Sequence, residues 1–589
     1  VGAATKAAPT RWTATSPEGR AHERCAGAPQ ASSRRSAQHG DDAVSAALAD
    51  FWLLHAPVLS VLLPMGTAVV LLLLGDRSGA GSEQGGARLR WHRRISVASC
   101  MLGLVMAVAL VRQAAAGELL VYRLGEWPAP FGIALVVDRL SAAMVLLTAL
   151  VALPVLAYAT GGWDARGRFF HALFQFQLMG LAGAFLTGDL FNLFVFFEVL
   201  LMASYALLVH GQGRERFRMG VHYVVLNLVA SGLFLIGLAL VYSATGTLNM
   251  ADVGRHLAHL QGDAQVFARV AALVLLVVFG LKAALLPLYF WLPGTYAAAS
   301  APVAALFAIM TKVGLYSIVR VHWQVFGAAA DVAALSVADW LLPLALATSV
   351  LGVLGALAAH SMARLVGYLT VSSVGTTLAS VALFTPATLS AALYYMLHST
   401  LVIAGLFLLV ELIATQRGDM HDRLQPAHAV REPVLLGGMM LFGAASVSGL
   451  PPLPGFLGKL MVLQASSGLP GQAWVWSVVL GVGFLTLIGL ARAGVIVFWH
   501  VQPVAAPGAR PPGRGLRMVP VWVFMALTVA LAVLASPVKR YTDATAAQLA
   551  RRDDYGRAVL GTEAAIAPTT RRYDGQRVAP DSTPQEKQP

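Results

Sequence analysis

Glu198, Lys282, Lys312, His398 and Lys459 each stand in a run of residues otherwise fit for lipid. Glu198 lies in "FFEVLLMASYALL" (Phe196 to Leu208), with Phe194, Val195, Leu201 and Met202 one helical turn away. Lys282 is flanked in the same way by Val278, Phe279, Leu285 and Leu286, Lys312 by Ala308, Ile309, Leu315 and Tyr316, and Lys459 by Gly455, Phe456, Val462 and Leu463. None of the lysines has an acidic residue within a turn on its own helix. A charge at that depth costs several kcal/mol unless it is paired or wetted. Partners must therefore come from other helices, from water or from a change of protonation. Desolvation favours the neutral form of carboxylates and amines alike. Groups pushed that way from both sides exchange protons near neutral pH, and an ammonium whose charge depends on a movable carboxylate can be loaded and unloaded. His398, in "YYMLHSTLVIAGLF", adds an imidazole, the side chain whose ordinary pKa lies nearest neutral pH. Glu198 is then either a protonated or interhelically bonded structural group or a site for protons or ions. His398 is either a hydrogen-bonded core residue or a relay. The sharper alternative is a proton-handling transporter with an axis through Glu198, Lys282, Lys312, His398 and Lys459, in which Lys282 is the expected partner of Glu198. His222 is a weaker candidate. Glu411 and Arg492 fall near helix ends and can snorkel, and capping and the helix dipole account for Asp138 and Asp189.

The elements that position these groups are membrane helices. Of 589 residues, 57% are hydrophobic and 12% charged, and the mean hydropathy is +0.68. That composition excludes a soluble enzyme. Apolar runs of membrane-spanning length give about fourteen helix candidates, and the weaker alternating pattern of an outer-membrane barrel is absent. The formal charge of +13 is mostly a topology signal. With the amino end of the first span outside, the inner loops carry Arg77, Arg88, Arg90, Arg93 and Arg94, then Arg166 and Arg168, Arg214, Arg216 and Arg218, Arg417, Arg423 and Arg431, and Arg510, Arg514 and Arg517. The outer loops carry few basic residues, and these are offset by acidic ones, so the charge follows the positive-inside rule and no nucleic-acid partner is expected. Cys25 and Cys100 make no CxxC, and neither an iron–sulfur nor a zinc site can be built from them. There is no Walker A and no HExxH. "GVGFLTL" (Gly481 to Leu487) is better explained by helix packing than as a dinucleotide fingerprint.

Two helices are broken. "KAALLPLYFWLPGTYAAASAP" (Lys282 to Pro302) contains Pro287 and Pro293, and "SGLPPLPGFLGKLMVL" (Ser448 to Leu463) contains Pro451, Pro452 and Pro454. Proline removes a backbone donor and clashes one turn back. In a membrane such breaks persist only where protein or water satisfies the freed carbonyls. They fall in the seventh and twelfth spans, each late in a block of five, and each broken helix carries a lysine. Paired breaks at matching positions point to a transporter built from inverted repeats.

The segments Phe174 to Leu208, His222 to Asp252 and Phe279 to Arg320 together resemble the antiporter-like subunits shared by respiratory NADH:quinone oxidoreductase, complex I, and the multisubunit Mrp-type monovalent cation/proton antiporters. Within that group the chain is most similar to the D subunits of the Mrp type, in the form named for potassium/proton exchange in Gram-negative bacteria. The likeness runs from about Leu54 to Ala535. It implies an all-α polytopic membrane protein with two inverted five-helix repeats, and a multi-pass location in the bacterial inner membrane. It matches the family's translocation residues to Glu198, Lys282, Lys312, His398 and Lys459. Many relatives have a lysine five residues after the histidine; here that position is Ile403. The expected organisation is a polar, disordered extension over residues 1–50, the first three spans over 51–168, a first repeat over 169–323, a second over 337–500, a last span over 515–536, and a polar, mostly disordered tail over 537–589. A chain beginning near Asp50 is expected to suffice. The implied activity is inward proton movement in exchange for Na⁺ or K⁺, in a complex with other Mrp subunits, with no cofactor, no metal and no enzymatic step in this chain. The alternative is a proton-pumping membrane subunit of a redox complex of the complex I or membrane hydrogenase type, with the redox centres in partner subunits.

Overall fold

Apolar runs without access to water must satisfy each backbone group internally, which makes helices the default, and the chain from Leu54 onward is mostly helical. The structure, a computed structural model, describes residues 31–75, 83–127, 129, 131–327, 333–501 and 515–561. In chain order the elements are α1 (Ala31–Leu73), α2 (Glu83–Ala116), β1 (Leu120–Arg123), β2 (Ala134–Val137), α3 (Arg139–Ala159), α4 (Phe170–Leu186), α5 (Leu190–Val209), α6 (Arg214–Thr245), α7 (Met250–Leu257), α8 (Asp263–Ala283), α9 (Trp291–Ala298) and α10 (Ala301–Ile318). The last of these runs on as a π-helix, Val319–Phe326. Then follow α11 (Ala333–Leu357), α12 (Met362–Val381), α13 (Pro386–Gln416), α14 (Pro433–Ser448), α15 (Pro454–Ser466), α16 (Gln472–Phe498), α17 (Gly515–Val533), α18 (Ala535–Ala550) and α19 (Arg552–Leu560). Residues 1–30, Arg77, Arg510, Arg514 and residues 562–589 lie outside the described residues; residues 31–50 are helical.

Among the described residues, ten helices are long and apolar enough to cross a membrane, or eleven if α17 and α18, bent by 76°, count as one span. The apolar runs number about fourteen. The difference lies in α4 and α14, which are apolar but short, and in α12, where Thr370, Ser372, Ser373, Thr376, Thr377 and Ser380 dilute the apolar character. The third span starts at Arg139. Asp138 accepts from the backbone N–H of Ser141, the Ser141 hydroxyl accepts from the Asp138 backbone N–H, and this capping box fixes the helix start. The preceding residues form β2, antiparallel to β1 with Leu120 opposite Val137, so the chain is mostly rather than wholly helical. The stretch from Lys539 to Leu560, expected to be disordered, forms α18 and α19. The Tyr541 hydroxyl donates to the Arg139 carbonyl at 2.8 Å, and Gln548 accepts from the Arg139 N–H at 3.0 Å. A buried stripe of Thr545, Leu549, Tyr555 and Val559 is hidden in the composition by the exposed arginines and aspartates around it.

The innermost helix is α10. Every residue from Ala301 to Gly327 is buried, against α3, α8, α12 and α13 among others. Helix pairs gain no hydrophobic drive inside lipid and rely on small residues and interhelical hydrogen bonds. At α11 against α12, Ser349 Oγ donates to the Ser372 carbonyl at 3.1 Å and Ser372 Oγ returns a bond to the Ser349 carbonyl at 3.0 Å. A Cβ on Gly375 would lie 2.3 Å from the Ser349 backbone nitrogen. Gly375→Val should therefore separate the two helices, at about 1–3 kcal/mol or more. The expected readout is a lowered melting temperature or loss of the folded chain from membranes, and native thermal stability in this variant would contradict the packing.

Candidate functional site

The first break falls between α8 and α9. Its freed backbone groups find partners within the protein: Trp291 Nε1 donates to the Leu281 carbonyl at 3.0 Å, and the Leu286 N–H donates to Thr348 Oγ1 of α11 at 2.9 Å. Pro287 lies in the gap and Pro293 in the first turn of α9. Lys282, in the last turn of α8, is buried. Its ammonium donates to Asn227 Oδ1 at 2.8 Å and lies 5.9 Å from the centre of the Phe197 ring. Glu198 accepts a short hydrogen bond from the Ser231 hydroxyl. Asn227 and Ser231 are one turn apart on α6, so this helix supplies a partner to each charged group. Glu198 and Lys282 are not among the ion pairs of the described residues. The expected direct pair is thus replaced by two polar side chains between the charges. Deeper on α6, Tyr223 takes the Asn227 amide on its carbonyl at 2.7 Å and shares a 3.0 Å bond with the Ser204 hydroxyl of α5. Asn227 and Ser231 are not among the candidates above, although two polar residues spaced by four in an apolar helix are a usable signal.

The second break joins α14 to α15. Pro451 and Pro452 occupy the gap, and Pro454 opens α15, where the missing N–H is no loss. Lys459 itself caps the freed carbonyls: its ammonium donates to Ser448 O at 2.7 Å and Val447 O at 3.2 Å. His398 of α13 is at the same junction. A Cβ on Gly455 would lie 1.8 Å from the Ser446 carbonyl oxygen and 2.9 Å from His398 Nε2, so α15 can approach α14 and the imidazole this closely only with glycine there. Lys312, on α10, is fully buried, and its ammonium meets no hydrogen-bond partner among the described residues. Helix α10 packs against both α8 and α13, which carry Lys282 and His398. Glu198 with Lys282, and His398 with Lys459, are thus gathered into two clusters, one at each break, while Lys312 contacts neither through a hydrogen bond.

The weaker candidates resolve differently. His222 is exposed and bonds the Arg218 carbonyl. Asp189 caps α5 through the Asn192 N–H at 2.8 Å. Arg492 reaches back to the Leu357 carbonyl at the end of α11. Glu411 accepts from Trp163 Nε1 at 3.2 Å and lines a cavity of about 700 Å³ with Arg166, Arg216 and Tyr296. Asp138 does more than cap α3. It also holds the Arg320 guanidinium through two bonds, at 2.5 and 2.9 Å. Burial alone would push its carboxyl up, and Arg320 more than offsets this and holds it below the usual carboxylate range. At the other end of α3, burial likewise acts against Asp164, and the hydrogen bonds from His171 and the Arg93 fork keep its carboxyl low.

Residues 187–489 match the family described as NADH:quinone oxidoreductase/Mrp antiporter, TM, a segment that contains both breaks and each of the candidate translocation residues. The chain belongs to this family. It is 39% identical over 531 residues to the probable K⁺/H⁺ antiporter D subunit of Rhizobium meliloti strain 1021, covering 85% of this chain and 96% of the relative. It is 35% identical over 506 residues to the Na⁺/H⁺ antiporter D subunit of Bacillus subtilis strain 168, covering 85% and 99% respectively. Among solved structures it superposes on a chain of the Mrp complex from Dietzia sp. DQ12-45-1b with a TM-score of 0.75 and 28% identity, over 86% of this chain and 99% of that one. The relatives are named as components of transporters, and the family places this chain with them as a multi-pass membrane subunit.

The α6 pair makes a specific demand. Asn227→Leu leaves the buried Lys282 without its acceptor, and stranding such a group costs roughly 1–3 kcal/mol. Ion flux in vesicles holding the whole complex should fall about tenfold, a 1.4 kcal/mol equivalent, whereas Asn227→Asp should retain flux with a displaced pH optimum. Native flux and pH profile in Asn227→Leu would remove Asn227 from the site.

Proposed function

We propose that this chain is the D subunit of an Mrp-type monovalent cation/proton antiporter, which admits protons inward in exchange for Na⁺ or K⁺. The observation that carries the proposal is a buried lysine at each of two helix breaks, in a chain that aligns with relatives named as antiporter D subunits over nearly their whole length. The proton axis runs from Glu198 through Ser231, Asn227 and Lys282 to Lys312, and on to His398 and Lys459. The order of α8, α10 and α13 supports it, since α10 packs against the two helices that carry Lys282 and His398. The lateral step past Ile403, where many relatives carry a lysine, is carried by water or by another side chain.

The full arrangement we propose has about fourteen crossings, with α4, α12 and the α14–α15 pair crossing in addition to the longer helices. Residues 169–323 and 337–500 form two inverted repeats, and each break falls in the fourth span of its repeat. The arginine-bearing end, which includes Arg166, Arg216 and Arg417, faces the cytoplasm by the positive-inside rule. The bacterial inner membrane is the site of action, and the other Mrp subunits, the lipid bilayer and the transported ions are the partners. Energy comes from the proton gradient, and the cation crosses in exchange within the assembled complex.

Two experiments test this. The complete complex in inverted vesicles should show proton flux that depends on added Na⁺ or K⁺, and this chain expressed without its partners should not restore salt or alkali tolerance to a transporter-deficient strain. In the complete complex, Glu198→Ala and Lys282→Ala should each abolish exchange while a native gel still shows assembly, because a stranded group in a buried site can change protonation rather than unfold the protein. Glu198→Asp should keep partial activity with a shifted pH optimum. Undiminished flux in an assembled Glu198→Ala complex would make the glutamate structural and sink the axis.

A further inference from the structure

One stripe of α10 ends in a cavity at either end. At its amino end Ala304 lines the cavity of about 700 Å³ that also holds Glu411. Two turns later on the same face stands Lys312. Side chains of a helix tilt toward its amino end, so the Cα–Cβ bond of Lys312 is directed to the cavity side, with the small residue Ala308 one turn before it. Continuing at the same spacing come Tyr316, Arg320 and Gln324. Gln324 lines a second cavity of about 860 Å³, bounded by α7 and α19.

The two halves of the stripe differ in kind. The half between Ala304 and Lys312 carries only a methyl group. The half between Lys312 and Gln324 is filled by a closed polar ladder: Arg320 Nε donates to the Tyr316 hydroxyl at 3.0 Å, and Arg320 Nη1 donates to Gln324 Oε1 at 2.5 Å. The same guanidinium grips both oxygens of Asp138, and Arg320 and Asp138 are 2% and 1% exposed. The ring of Tyr555, buried on α19, lies 5.9 Å from the guanidinium. Asp138 stands before the segment that matches the family, and Arg320 stands within it. A buried ion pair of this sort is weak evidence for stability, since apolar packing in its place is often as stable. A fixed guanidinium across a narrow polar route does have one strong physical effect, which is to repel protons and cations.

We propose that Asp138 and Arg320 form the outer seal of the first repeat. The guanidinium bars protons and monovalent cations from reaching Lys312 from the side of α19, and Asp138 keeps that charge compensated while it stands buried. Lys312 then has no direct route to the side of α19 and exchanges along the lateral axis and toward the opposite cavity, so a gradient cannot leak straight along α10. Both residues are positioning groups that define access. The inference rests on the reading of Lys312 as a proton carrier given above.

The test uses inverted membrane vesicles from a transporter-deficient strain carrying the complete complex. A proton gradient is built by respiration, with choline as the sole added monovalent cation, and its collapse is followed with a pH-sensitive dye after respiration is stopped. Arg320→Gln should speed the collapse several-fold over the native complex, and Arg320→Lys, which keeps the charge, should stay near the native rate. Removing one member of a buried pair can prevent assembly, so the double variant Asp138→Asn with Arg320→Gln, which strands no charge, is measured in parallel and should also leak. A purely structural role would impair Arg320→Lys and Arg320→Gln alike without a leak. An assembled Arg320→Gln or double variant that holds the gradient as the native complex does overturns the seal. Adding Na⁺ or K⁺ to native vesicles reads the antiporter assignment separately: if no cation-dependent flux appears there, that assignment fails, while the choline comparison still reports on the seal.

Discussion

The interior of a membrane offers no water to finish an unfinished hydrogen bond, and the arrangement of this protein follows from that constraint. A broken helix frees carbonyls that some protein group must take. At the second break that group is the ammonium of Lys459, on the carbonyls of Val447 and Ser448. At the first, the backbone is served by Trp291 and Thr348, and Lys282 is left to reach Asn227 instead. The two breaks look alike in sequence and are satisfied differently. One lysine is tied to the backbone and the other to a neutral side chain one helix away. The two sites therefore differ in what holds the ammonium: two backbone carbonyls at Lys459 and a single amide oxygen at Lys282.

The same constraint explains why charges in this chain come in company. Asp138 and Arg320 neutralise one another, and Asp164 is shared by Arg93 and His171. Lys312 stands apart, buried on a helix that is enclosed along its whole length. It lacks the fixed partners that hold the other buried charges among the described residues. Contact with α8 on one side and α13 on the other makes α10 the physical link between the two halves.

Gly375 and Gly455 show how tightly the helices between residues 337 and 500 are packed. At each, the neighbouring backbone stands where a Cβ would be, and at Gly455 that neighbour lies beside His398. Close backbone approach is the main way membrane helices gain contact energy, and here it also fixes His398 against the second break. Positioning and packing are thus carried by the same small residues.

Much of this could be read from the chain alone. Lipid-compatible composition, the arginine asymmetry, the paired proline clusters and the isolated titratable groups Glu198, Lys282, Lys312, His398 and Lys459 follow from one-dimensional patterns, because the penalty for a charge in lipid acts on each helix separately. The runs that become α4, α12 and α14 are also visible as apolar runs, and only their shortness or hydroxyl content keeps them out of the ten longer helices, whereas the order in α18 and α19 is hidden among exposed charges. The partners of the buried groups were beyond the sequence. That Glu198 meets Ser231, that Lys282 meets Asn227, and that Asp138 meets an arginine 182 positions away depend on which helix faces which. The period of a single helix says which side is polar, and only the packing of several helices decides what that side touches.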